Sequence, residues 1–218
     1  MTRTDDTAGV IRELVAEHGR TYAEEAGIRL KDTPQPLYRL LLMALLLSAR
    51  IRASVVLATA RALHDANLSD PHRMAGSGWQ QRVDVLVRGG YRRYDERTAT
   101  QLGNGAELLQ KRWGGDLRRL RKEADGEVAA MRRLLQEIPG MGPAGADIFL
   151  RDAQRVWPEV APYLDAKALS GAGRLGLPEA PKKLLELAGD TEPAVLAAAL
   201  VRAALDRKLA EDVLKHAA

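Results

Sequence analysis

The chain has 218 residues, enough for one sizeable core or for two small lobes, and it is rich in Leu and Ala with only one Phe, three Trp and five Tyr. A formal charge of +4 and a pI near 9.5 fit nucleic-acid binding without requiring it. The absence of Cys excludes disulfides, thiol nucleophiles, Cys-ligated zinc and cysteine-held iron–sulfur clusters; the four His, at 18, 64, 72 and 216, show no metal-ligand spacing, so no metal and no cofactor is expected.

Leu and Ala favour helix, and the Val/Ile alternation of strands is almost absent, so the sequence predicts an all-α fold. In chain order, residues 6–30 read as one helix, broken near Gly19, and Pro34 and Pro36 mark a linker and a helix start. Residues 37–49 are apolar nearly all round, which predicts a buried central helix; residues 54–65 form the next. Asp70-Pro71 opens a short turn-rich element. Residues 79–88 make an amphipathic helix ended by Gly89-Gly90. Two short helices, 94–102 and 106–113, are expected on either side of Gly103-Asn104-Gly105, with Gly114-Gly115 as a stop and one more helical turn at 117–122. Residues 127–137 and 143–156 form a helical pair, and 166–218 is Leu/Ala-rich helix divided by glycines and prolines. The start Met-Thr-Arg-Thr-Asp-Asp has no apolar signal core and the apolar run 40–47 is too short to span a bilayer, so a cytoplasmic, nucleoid-associated protein with no membrane partner is expected.

The connection Ile138-Pro139-Gly140-Met141-Gly142-Pro143-Ala144-Gly145 carries the clearest chemistry. Gly140 and Gly142 allow a tight turn and leave the backbone uncovered, and Pro143 suits the first turn of a helix. Turn amides and a helix N-terminus then form a concave donor site for an anion, and a DNA phosphate is the natural ligand. The competing reading is a tight helix–helix connection with no ligand. A dinucleotide site does not fit, because no strand precedes and the spacing is Gly-x-Gly alone.

With these residues in view, the chain resembles the helix-hairpin-helix DNA glycosylase superfamily, and its endonuclease III branch most closely. Leu45-Leu46-Leu47-Ser48-Ala49-Arg50 resembles that family's buried helix ending in Leu-Leu-Ser-Ala-Gln. Residues 137–149 resemble its hairpin, Gly90-Tyr91-Arg92 its Gly-Tyr/Phe-Tyr-Arg turn, and Leu164-Asp165 with Arg174-Leu175-Gly176 its Val-Asp-Thr-His segment and trailing Arg-Leu-Gly. Order and spacing hold over residues 35–176. The resemblance implies two helical lobes, 36–126 and 1–35 plus 127–218, with double-stranded DNA across the cleft between them and a damaged or mispaired nucleotide flipped into it. A monomer is expected. The implied DNA-binding residues are Pro139, Gly140, Met141, Gly142, Pro143, Ala144 and Gly145 of the hairpin, with Arg50, Arg52, Tyr91 and Arg92; Arg50 stands where the family's wedge Gln would be.

The chain departs from the family pattern where a catalytic Lys of bifunctional members would stand, since that position is Ala144 and offers no amine for a Schiff base. The family's Thr-His is Ala166-Lys167, and its iron–sulfur loop has no counterpart. Asp165 is the expected catalytic residue: a carboxylate beside the anomeric carbon favours the positive charge that develops as an N-glycosidic bond breaks, and it can orient the attacking water. An Asp before a helix also serves as an N-cap, a role compatible with catalysis. Lys167 is a second catalytic candidate, for a phosphate contact or a lyase amine, although residues two apart on a helix do not share a face and a solvated surface lysine is the stronger single explanation. The expected activity is a monofunctional base-excision DNA glycosylase. Two alternatives stay open: a DNA-structure or damage-binding protein without catalysis, and an abasic-site lyase or endonuclease.

Overall fold

In a computed structural model, residues 3–217 are described. Their regular structure is fourteen α-helices and one short 3-10 turn, with no strand among the described residues. No helix among them is long and apolar enough to cross a membrane. The fold is all-α, as the Leu/Ala-rich composition predicts.

The chain divides into two compact units, residues 1–22 with 161–218, and residues 23–160. These boundaries differ from those read in the sequence: residues 23–35 and the hairpin pair, 127–160, group with the middle helices. The reason is where the hairpin buries its apolar side. Its second helix packs directly on the apolar central helix, so the two cannot belong to separate cores.

The first unit is built from α1 (Arg3–His18) and the C-terminal helices α11 (Ala166–Arg174), α12 (Pro181–Ala188), α13 (Pro193–Leu205) and α14 (Arg207–Ala217). Val10, Ile11 and Leu14 share one face of α1 and pack with Ala168, Ala172, Leu196 and Leu200 in a single core. The break after α1 falls at Gly19, and the short α2 (Tyr22–Glu25) follows it, so the expected helix over 6–30 is two.

In the second unit α3 (Pro34–Leu47) is the central element. Pro34 occupies its first turn, and Leu37, Tyr38 and every residue from 40 to 46 are buried. Each fully buried Leu there contributes about 1.5–3 kcal/mol of transfer free energy. Around it stand α4 (Ala53–Asp65), α5 (Pro71–Gly76), α6 (Trp79–Arg88), α7 (Asp95–Trp113), α8 (Leu117–Glu123), α9 (Val128–Gln136) and α10 (Pro143–Ala153). Asp70 caps α5 through the Arg73 amide at 2.9 Å, and Asp116 caps α8 through the Arg118 amide at 3.0 Å.

The largest departure from the sequence reading is α7. It runs unbroken from Asp95 to Trp113, through Gly103-Asn104-Gly105, where two helices were expected. Both glycines are buried at close approaches: Gly103 faces Arg82 of α6, and Gly105 faces Ile138. They are absent side chains that let neighbours in, and the helix tolerates their low propensity because packing outweighs it.

Candidate nucleic-acid interface

The hairpin joins α9 to α10 over residues 137–142. Leu135, Ile138, Met141 and Phe149 are buried and fix the two helices, and Arg132 clamps them by donating to both carboxylate oxygens of Asp147, at 2.6 and 3.1 Å. The turn tightens where the Met141 amide donates to the Ile138 carbonyl at 2.9 Å. Gly140 takes a left-handed φ of +87°, a backbone conformation that favours glycine, and the Gln101 carboxamide lies where a Cβ would stand, 2.9 Å from it.

Gly142 then caps α10 in an extended conformation, with Pro143 at the first helical position. The first intrahelical acceptor bond runs from the Ala146 amide to the Gly142 carbonyl at 3.0 Å. The amides of Ala144 and Gly145 precede it and therefore have no helical carbonyl to bind. Gly142, Pro143 and Ala144 are exposed. Together with the positive end of the helix dipole, this makes an outward-facing anion site.

The seven residues expected to meet DNA here divide by burial. Pro139 and Gly140 are half-buried, and 142–144 face solvent. Met141 is 2% exposed with its amide already engaged in the turn. Gly145 is buried, and a Cβ there would collide with Met141 Sδ and stand 3.4 Å from Ser48 Cβ and 3.7 Å from the Ala44 carbonyl on α3. Met141 and Gly145 hold the hairpin to the core, and only the backbone of 145 is left to bind a ligand.

Beside the hairpin lies a cavity of about 350 Å³ lined by Leu45, Ser48, Ala49 and Arg50 from the end of α3, by Tyr91, Tyr94, Arg97, Thr98 and Gln101, and by Gly140. Three residues singled out in the sequence, Arg50, Tyr91 and Gly140, thus meet at one site although they lie far apart in the chain. Two guanidinium groups reach it and no carboxylate lines it. Arg50 is exposed just beyond the C-terminus of α3. Tyr91 is only 1% exposed. Burial pushes the Tyr91 phenol above its ordinary pKa. Tyr91 therefore forms a neutral wall of the cavity and not an outward wedge. Arg52, the residue before α4, and Arg92 are exposed but do not line it.

Tyr94, Arg97, Thr98 and Gln101 were not singled out from the sequence. Their spacing, i, i+3, i+4 and i+7, places them on one face at the start of α7, and that spacing was the available signal. What the sequence did not show is that this face opposes the end of α3.

Asp165 and Lys167 belong to the first unit. Asp165 is the N-cap of α11, accepting from the Ala168 amide at 3.1 Å, and is half-buried. The cap role is thus present in the structure and fixes the carboxylate in one orientation. Lys167 is exposed. Two of the four cations in the basic run 118–122 are held in ion pairs: Arg118 pairs with Asp116 at 2.7 Å, and Arg121 pairs with Glu159 and, at 2.8 Å, with Asp32. Groups of His, Asp and Glu with a geometry for metal are absent among the described residues.

Comparison with family models, with curated proteins and with solved structures gives no match for this chain.

Proposed function

We propose that this protein is a DNA glycosylase of the helix-hairpin-helix type, with the two-lobed architecture of that family, which hydrolyses the N-glycosidic bond of a damaged or mispaired nucleotide and leaves an abasic site. The observation that carries the reading is a hairpin whose Gly140 lines a carboxylate-free cavity bearing Arg50 and which leads into the exposed N-terminus of α10. A hairpin amide site and nearby arginines bind the DNA backbone without reading sequence, which suits an enzyme that must find lesions in any context.

In this reading the hairpin holds one phosphate through the amides around Ala144, and Arg50, Arg52 and Arg92 supply further phosphate contacts. Asp165, at the start of α11 in the first unit, is the catalytic carboxylate of this reading. As the bond between the base nitrogen and the anomeric carbon breaks, its electron pair leaves with the base. Asp165 favours the cationic sugar and orients a water; the water oxygen bonds to the anomeric carbon as its proton passes to the Asp165 carboxylate, and one proton ends on the departing base. The cap bond from the Ala168 amide keeps the carboxylate oriented through this step. Ala144 offers no amine, so water is the nucleophile and the strand stays intact.

The test incubates the protein and its Asp165→Asn form with labelled duplexes carrying uracil, oxidised pyrimidines, alkylated purines, mismatches or abasic sites, with and without hot alkali. Alkali-dependent cleavage that disappears in Asp165→Asn is the expected result. Cleavage without alkali, trapped by borohydride and lost in Lys167→Ala, would replace it with a lyase. DNA binding without base release on any of these duplexes would replace it with a binding protein.

A further inference from the structure

We propose that the groove between α1 and α14 is a docking site for a basic amphipathic helix of a partner protein. The inference goes beyond the DNA reading and does not depend on it. Every residue lining the groove lies in the first unit, and none belongs to the hairpin or to the cavity beside it.

The groove reverses the sign of the protein. The chain carries a formal charge of +4, yet four carboxylates line this opening of about 670 Å³: Glu13 and Glu17 from α1, and Asp206 and Asp212 at α14. Among the described residues that line it, they face a single ammonium, that of Lys208, and the rings of His18 and His216. Two of the four carboxylates have a reason within the fold. Asp206 starts α14 by accepting from the Lys208 and Leu209 amides, at 2.9 and 3.2 Å, and Asp212 pairs with Lys215 at 3.3 Å. Glu13 and Glu17 have none: neither makes a hydrogen bond or an ion pair through its side chain among the described residues. Their placement works against the helix. They stand four residues apart on one face of α1, and Glu17 lies in its last turn, where the helix dipole disfavours a negative charge. Charge that opposes the fold and is answered nowhere in it calls for a cationic partner.

The floor of the groove supplies the other half of the recognition. Leu209 and Val213 line it while they pack on the core of the first unit, and Leu205, next to Asp206 in the chain, is 60% exposed. The partner must therefore carry cations on its flanks and apolar side chains at its centre. A basic amphipathic helix does so, with its anchors at i, i+3 or i+4, and i+7. From Asp206 to His216 the groove follows α14 for about 15 Å. That length matches about three turns of a partner helix and far exceeds a single ammonium or metal ion. The same carboxylates repel DNA and an anionic lipid surface.

The experiment measures binding of labelled synthetic peptides to the 218-residue chain by fluorescence anisotropy at fixed salt. One peptide is an amphipathic helix of Leu and Lys; the other keeps the Leu pattern and carries Glu in place of every Lys. The Lys peptide is expected to bind at least about tenfold more tightly than the Glu peptide. Glu13→Gln with Glu17→Gln is expected to weaken the Lys peptide about tenfold, the scale of two exposed charge pairs, with a melting temperature that is unchanged or higher. Leu205→Ser is expected to weaken it about fivefold through lost apolar contact. Lys208→Ala removes the opposing ammonium and is expected to tighten binding about threefold, a direction that no loss of folding imitates. Removing two carboxylates from α7 instead, by Glu96→Gln with Glu107→Gln, is expected to leave the affinity unchanged. The inference is overturned if the two peptides bind equally, if the Glu13→Gln, Glu17→Gln form binds the Lys peptide as tightly as the native chain, if the α7 form loses as much affinity, or if Lys208→Ala weakens binding. Spermidine that displaces the Lys peptide at equal concentration and matched ionic strength would also overturn it, and would give the groove to a small polyamine. None of these outcomes bears on base release, so the glycosylase reading stands or falls separately.

Discussion

The guanidinium of Arg82 fills the space that a side chain at Gly103 would need. A Cβ at 103 would lie 2.6 Å from Arg82 Nη2 and 2.7 Å from its Cζ. Arg82 cannot easily withdraw, because it is 9% exposed and donates to the Ala99 carbonyl at 2.8 Å and to the Ser77 carbonyl at 2.6 Å. Gly103→Ala would gain about 1 kcal/mol of helix propensity and lose more by displacing a buried, hydrogen-bonded cation. The expected net effect is a loss of about 1–3 kcal/mol in urea denaturation. A gain in stability would show that Arg82 yields without cost.

The same contact explains why the sequence misled at α7 while it served well elsewhere. Residues 79–88 were legible to the residue, because the apolar face of α6 and the glycine after it agree. Gly103-Asn104-Gly105 has the composition of a loop, and only the distant partners Arg82 and Ile138 turn it into a packing face. The hairpin was legible for the opposite reason: its turn, its cap and its proline are all local. The cavity was half legible. Arg50, Tyr91 and Gly140 stood out singly, but their meeting with Tyr94, Arg97 and Gln101 depends on how α3 and α7 pack, and residues so far apart in sequence announce no such pairing.

A second packing glycine holds the helix that begins at Asp165. At Gly171 of α11 a Cβ would stand 1.9 Å from the Leu200 carbonyl oxygen on α13. That neighbour is backbone in mid-helix and has no rotamer to change. Gly171→Ala must push the two helices apart across the core of the first unit, and a loss of about 3 kcal/mol or more is expected. Thermal melting of the variant checks it. A stability within about 0.5 kcal/mol of the native protein would mean that α11 and α13 separate without cost.

Asp152 makes stability depend on pH in an unusual direction for a carboxylate. It lies 6% exposed in α10, and burial pushes its pKa up from 3.8 to about 6 against the opposing pull of Arg151, the Ala23 amide and Arg155; Glu24 adds to the rise. The folded state holds this proton more tightly than the unfolded state does. The stability it contributes is present below pH 3.8 and is lost as pH rises to about 6. Asp152→Asn removes the titration, so its stability relative to the native protein should climb between pH 4 and pH 7 by up to about 3 kcal/mol. Urea denaturation at half-unit pH steps measures it. A variant that loses ground as pH rises would show that the arginines outweigh burial.

Asp165 has two roles to separate, and the chemistry of caps supplies the means. Asn caps a helix about as well as Asp, whereas Ala forfeits about 1 kcal/mol. Asp165→Asn should therefore keep native stability while it removes the charge, and Asp165→Ala should lose both the charge and the bond from the Ala168 amide. If the carboxylate stabilises a cationic sugar, the two variants share a loss of base release of about a hundredfold or more, the scale of removing one preorganised electrostatic group, and only Ala unfolds more easily. If the residue does no more than start α11, Asn retains full activity and Ala loses it in proportion to stability. Single-turnover base release and chemical denaturation on the same preparations distinguish these outcomes. Native-like release by Asp165→Asn would take the reaction away from this carboxylate and leave Asp165 as a helix cap.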